Sequence, residues 1–273
     1  MAETGNLTIK KLPELLSPKR KASPEKLPLT YAYTPSNDGT DENLLILLHG
    51  LGDTELPFAN LGRSLKLPQT ATLSLRAPIR IPFLEEEAFQ WYPSFDPLGD
   101  LLERPDPTGA LDILVFTLEK LVKECGWPIN RIHLFGFAQG GSVAAEVALR
   151  IWKERTFTSE GETIQRLGLA SVVTVSGPLL SHPTFTPPSS TPILVFHRLS
   201  PSPSALHVSA LGSFRKGFGR VQEVKITGGE GMPRSRQEWE PIMRFWSEVL
   251  EKRRLHDLYE VVSGGIQTES SGA

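Results

Sequence analysis

The sequence predicts an α/β fold: a mostly parallel sheet covered by helices on both faces. Three observations carry this. Short, sharply bounded apolar runs such as 44–48 and 192–196 have the length and continuity of strands buried on both sides. They alternate with segments of helical period such as 107–125 and 235–254. A third run, 131–135, enters a glycine-flanked turn, Gly136-Phe137-Ala138-Gln139-Gly140, and a helix-like stretch follows at once.

The elements follow in order. Residues 29–34 alternate as a first strand, and turn chemistry at 35–41 separates them from the apolar strand 44–48. That strand runs directly into His49-Gly50-Leu51-Gly52-Asp53, a loop at the edge where open α/β sheets place ligands. A short helix is expected at 58–65 and a strand at 71–75. Residues 79–106 then form a long aromatic- and proline-rich loop. Its rings either wall an apolar pocket or plug the core. The helix at 107–125 shows one apolar face through Leu111, Leu114, Val115, Leu118, Leu121 and Val122, and Gly126 and Pro128 stop it. After the turn at Ala138, small residues such as Ala144 and Ala145 suit a helix packed closely on the sheet. Strands follow at 167–175, 192–196 and 221–226, with a short helix expected at 205–211. The last helix, 235–254, presents Trp239, Ile242, Met243, Trp246, Val249 and Leu250 on one face.

Residues 28–256 therefore make one domain. Residues 1–27, broken by prolines and carrying six basic against three acidic residues, read as a disordered basic tail, and 257–273 as a second tail. The basic stretch 17–21 reads as a nuclear-import or phosphorylation patch or as plain solvated chain.

The bulk composition bounds the function. A net charge of −2 gives no support for a nucleic-acid surface, and no run reaches the roughly 18 apolar residues of a membrane span. One cysteine, Cys125, excludes an internal disulfide and points to a reducing compartment, which with the absence of a secretory leader places the protein in the cytoplasm, the basic patch leaving the nucleus open. The histidines form no spaced set with Cys, Asp or Glu, so no metal is expected.

Taken alone, the turn at Ala138 is a strand–turn–helix junction. Together with Leu48-His49-Gly50-Leu51-Gly52-Asp53, Arg76-Ala77-Pro78 and the Trp91-Tyr92 pair, it resembles the phospholipase/carboxylesterase family of α/β-hydrolases, which includes acyl-protein thioesterases. The resemblance runs from about Leu29 to Leu255. It implies ester or thioester hydrolysis by Ser, Asp and His without a cofactor. It also implies an oxyanion hole from the backbone N–H groups of Leu51 and Gln139, and a pocket with His49, Trp91, Tyr92 and His197 around it.

Carried over position by position, the catalytic residues are missing. The serine position holds Ala138, the acid position Pro201 and the histidine position Met232. No aspartate occurs between Arg198 and Glu240, and no histidine between Met232 and His256. An alanine methyl cannot attack a carbonyl, and the three groups act as a unit. The expectation is a catalytically impaired or inert pseudo-hydrolase that binds an unknown protein partner or an acyl-bearing ligand. The alternative is an active serine esterase or thioesterase with a displaced triad, for which Ser142 and Ser176 are the candidate nucleophiles.

Overall fold

The computed structural model describes residues 7–11, 21–82, 84–154, 168–184, 186–202, 205–207, 209–252 and 259–263. Residues 17–20 of the basic stretch, residues 155–167 and His256 lie outside the described residues.

The core of the fold is a seven-stranded sheet. Its strands are β2 (Tyr31–Thr34), β3 (Asn43–Leu48), β4 (Thr70–Leu75), β7 (Ile132–Phe137), β8 (Ser171–Val175), β9 (Ile193–Arg198) and β10 (Val221–Ile226). Their spatial order is β10-β9-β8-β7-β3-β4-β2. All neighbours are parallel except β2, which pairs antiparallel with β4 at one edge. The two remaining pairs are a short hairpin of β5 (Ile79–Arg80) and β6 (Phe89–Gln90), and β1 (Leu7–Lys11) with β11 (Tyr259–Ser263), which fall within the two expected tails and pair antiparallel with each other. Lys21 touches the domain, its N–H donating to Asp41 Oδ2 and its ammonium to the carbonyl of Gly126.

The strands are apolar on both faces because helices cover both. Along β3 all six residues are buried. Leu44, Ile46 and Leu48 enter the core beneath α2 (Thr108–Lys123), α3 (Gln139–Glu154) and α4 (Ala210–Gly217). Leu45 and Leu47 enter the opposite core with Phe58 of α1 (Glu55–Leu65) and Ile242, Phe245 and Trp246 of α5 (Arg236–Val249). Period-2 alternation in a fully buried strand thus feeds two separate cores.

Two helices depart from their sequence expectation. The helix expected at 205–211 is α4, at Ala210–Gly217. Before it, the His207 ring binds both the Ser209 hydroxyl and the Ser209 N–H, and such local bonds compete with helix formation. The final helix, expected at 235–254, stops at Val249, five residues short. There the Asn43 side chain takes the Glu251 N–H and donates to the Glu251 carbonyl, holding the chain in an extended exit.

The topology fixes where a ligand would meet the sheet. From β3 the chain moves to β4 on one side and later returns as β7 on the other. The order reverses at β3 and β7, and the crevice beyond their carboxyl ends is the topological switch point. His49 to Gly52 and Phe137 to Ala138 leave the sheet there.

Candidate functional site

At the end of β7 the backbone enters the left-handed region at Ala138, φ +49°. The Ala138 N–H donates to the Val175 carbonyl at 2.8 Å, and the Ala138 carbonyl accepts from the Ser142 N–H at 3.0 Å, so the turn is locked from both sides. Two glycines permit the close approach this requires. A Cβ on Gly136 would stand 2.1 Å from the Gly140 carbonyl oxygen, and one on Gly140 would stand 2.2 Å from that of Leu48. The start of α3 therefore lies against the end of β3, which brings the Leu51 loop and Gln139 to the same crevice. As the first residue of α3, Gln139 has an N–H that the helix cannot satisfy.

Four side chains hold this frame. The His49 ring is fully buried, with Nδ1 2.7 Å from the Gly50 carbonyl and Nε2 accepting from the Ala77 N–H at 2.9 Å. The two partners assign the proton to Nδ1. Burial lowers the pKa of the ring, against the opposing pull of the Gly50 carbonyl, so it stays neutral. The Trp91 indole donates to the His49 carbonyl at 2.8 Å, and the Trp91 N–H donates to Gln139 Oε1 at 2.9 Å. Gln139 Nε2 in turn donates to the Tyr92 carbonyl at 2.9 Å and Ser94 Oγ at 2.7 Å. The Tyr92 phenol is buried, which raises its pKa.

Beside this frame lies a groove of about 600 Å³, lined by Leu51, Ile81, Pro82, Gln90, Pro93 and Phe95 among others. The aromatic loop splits between its two expected roles: Phe95 faces the groove, whereas Trp91 and Tyr92 are core residues. His49, Trp91 and Tyr92, expected around the pocket, do not line it. The His49 imidazole and the Trp91 indole have their polar atoms satisfied inside the frame, which is where a buried indole or imidazole must find a partner. His197, the fourth expected pocket residue, lines a different cavity at β9 and β10.

The other two sequence-assigned positions lie on loops after β9 and β10. Pro201 is exposed, in a turn closed by the Ser202 N–H on the Leu199 carbonyl. Met232 packs in the α1/α5 core beside Phe137, and a Cβ on Gly231 would lie 3.6 Å from the Phe137 ring. Between these loops sits a group the sequence reading missed. The Arg198 side chain, 1% exposed, makes a two-point ion pair with Glu238 at 2.6 and 3.0 Å and donates to the carbonyls of Gly228 and Met232, each at 3.1 Å. Arg198 and the Arg234 N–H hold the Glu238 pKa down at about 2. Glu238 also donates its N–H to Ser235 Oγ at 3.2 Å, the helix cap of α5. A charged residue ending an apolar strand, and a Ser-x-x-Glu start to the last helix, were the signals available in the sequence.

The two serines considered as nucleophiles differ in backbone and not in hydrogen bonding: the buried Oγ of each has no partner among the described residues. Ser142 is wholly buried in α3. Ser176, at φ +55°, donates its N–H to the Phe196 carbonyl. Among the described residues no cluster of His, Cys, Asp or Glu is built to hold a metal ion, and no helix is long and apolar enough to cross a membrane.

Comparison with known proteins agrees with this frame. Residues 29–202 match the profile of the phospholipase/carboxylesterase family. An uncharacterized hydrolase of Mycosarcoma maydis is 41% identical over 228 residues, covering 82% of each chain. Among solved structures, esterase PE8 superposes with a TM-score of 0.65 at 20% identity, over 81% of this chain and 99% of its own. The acyl-protein thioesterase 2 of Zea mays gives 0.61 at 21% identity, over the same shares of the two chains. At these identities the structural likeness establishes the fold.

Proposed function

Because the chain belongs to the phospholipase/carboxylesterase family of α/β-hydrolases, we propose that it is a member whose catalysis has been lost and whose fold is kept for binding. One observation carries this reading. The places that would supply nucleophile, acid and base hold Ala138, Pro201 and Met232, and Arg198 with Glu238 occupies the space between the last two loops. A hydrolase of this kind needs a nucleophile, a proton acceptor and a group to orient that acceptor. Removing the whole set in a serine protease costs about a million-fold in turnover, and the remainder comes from the oxyanion hole and binding. Leu51 and Gln139 could still polarise a carbonyl through their backbone N–H groups, and the apolar groove beside Leu51 suits an acyl-bearing ligand or an apolar segment of a protein partner. A cytoplasmic setting fits the single buried Cys125.

The test is hydrolysis of short and medium p-nitrophenyl esters by the parent and by Ala138→Arg. Both are expected at the buffer rate, and pull-down then identifies the partner. Turnover by the parent alone, scaling with protein through repurification, would overturn the proposal. A second reading, a displaced serine nucleophile, is favoured by the strained backbone and unpartnered hydroxyl of Ser176. It requires fluorophosphonate labelling at that residue, and a protein left unlabelled excludes it.

A further inference from the structure

A second cavity, of about 540 Å³, opens at the carboxyl ends of β9 and β10, against α4. It is separate from the Leu51 groove and shares none of its lining residues. Its volume falls in the range of small-molecule sites, roughly 300–1,000 Å³.

The lining divides into an apolar part and a charged part. Leu199, Leu206 and Leu211 supply the first. Leu206 and Leu211 are backed by the α2/α3/α4 core, so this wall is fixed. Arg198, Arg215, Lys225 and Glu223 supply the charge. Arg198 is already neutralised by Glu238, which lies outside the cavity. Glu223 must serve three groups at once: His197 Nε2 at 3.0 Å, Lys225 Nζ at 3.3 Å and Arg215 Nη2 at 3.8 Å. It is the only carboxylate in the lining, so two permanent cations face it. Lys225 stands directly beside His197 in the β9–β10 register. Ser200, Ser209 and His207 add further donors around the mouth.

We propose that this cavity binds a small organic anion, a carboxylate or phosphate monoester with a compact apolar body. The anion would sit at Arg215 and Lys225 and its body against the three leucines. The guanidinium fork suits both oxyanions, and the ammonium adds a second, movable charge. Glu223 offsets the mutual repulsion of the two cations when the site is empty and repels the ligand when it is occupied.

The test is titration of the full chain by calorimetry with benzoate, phenyl phosphate and neutral benzyl alcohol. Both anions are expected to saturate one site below about 10 mM, with benzyl alcohol weaker by roughly tenfold. Arg215→Ala and Lys225→Ala together are expected to weaken anion binding by about tenfold or more. Their side chains are 65% and 54% exposed, so the fold does not depend on them. Arg244→Ala, equally exposed and outside the cavity, should change nothing. Glu223→Gln should tighten binding by removing the repulsion. A preference for phenyl phosphate assigns the site to phosphate monoesters, and a preference for benzoate assigns it to carboxylates; either supports the proposal. It is overturned if neither anion saturates, if the double variant binds like the parent, or if Glu223→Gln weakens binding. None of these results bears on ester hydrolysis, so the two proposals fail separately.

Discussion

The Arg198–Glu238 pair makes a quantitative prediction about acid stability. The perturbation is Glu238→Gln, which keeps the shape and removes the charge. The Glu238 pKa falls from 4.5 to about 2 on folding, mainly through Arg198. That fall, from 4.5 to about 2, is worth at most ~3.4 kcal/mol. Glu238 is 21% exposed on its side chain, and solvent screening reduces the figure to about 2–3 kcal/mol. Because the folded pKa lies below the unfolded one, the contribution is complete above the unfolded pKa and is lost as pH falls through the folded value. It should be less than half its neutral-pH size by about pH 3. The assay is urea unfolding of parent and variant from pH 7 downward, with melting temperatures alongside. At pH 7 the variant should be about 2–3 kcal/mol less stable, roughly 5–10 °C in melting temperature for a domain of this size. The gap should narrow steadily in acid. His49 and His133 also have pKa values lowered by burial, His133 to about 3, so both proteins lose stability in acid through them. That loss is common to the two and cancels in the difference. A gap below ~0.5 kcal/mol at pH 7, or one that stays constant between neutral pH and about pH 3, would refute the assignment.

Two further outcomes test the turn and the vacant positions. Ala138→Ser alone should leave p-nitrophenyl ester hydrolysis at the buffer rate, because the restored hydroxyl meets no imidazole at Met232; a measurable gain from this single change would show that another base reaches it. Gly136→Ala should cost more than about 4 kcal/mol or prevent folding, because its Cβ would fall 2.1 Å from the Gly140 carbonyl oxygen and both are backbone. A soluble Gly136→Ala protein melting within a few degrees of the parent would mean that the turn is not as tightly closed as the geometry requires.

The fold was legible because its signals are local and repeated. The run 44–48 could only be a buried strand, and the faces of 107–125 and 235–254 stand out at helical period; all three appear at nearly those positions. The turn at Ala138 was legible for the same reason, since glycines at 136 and 140 report backbone crowding directly. What the sequence did not show is which side chain meets which across long separations. Trp91 and Tyr92 read as pocket residues because aromatic loops often line pockets, yet the His49 carbonyl and the Gln139 amide draw them inward. Arg198 is 40 residues from Glu238, and nothing in the intervening chain advertises that they pair. The same holds for Arg215 and Lys225, which become neighbours of Glu223 only once α4 is laid beside β10.

The left-handed turn at Ala138 follows from what it does for packing. A left-handed alanine costs about 1–2 kcal/mol, and a turn held by nothing else would relax toward an ordinary strand end. Here it cannot. The Ala138 N–H is the partner of the Val175 carbonyl, its own carbonyl caps the first turn of α3, and the glycine contacts bring α3 within reach of Leu48. Relaxing φ at Ala138 would break these bonds and lift the most buried helix of the domain from the sheet. Gln139, next in the chain, also anchors Trp91, Tyr92 and Ser94 through its side chain. The backbone of the turn is therefore maintained by the core, whatever side chain position 138 displays. The same reasoning applies at Met232. Whatever residue stands at Met232, the carbonyls of its loop need donors, and Arg198 supplies them at Gly228 and Met232. The motif that identifies the family and the chemistry attached to it are thus held by different forces, and only the first is required for the chain to fold.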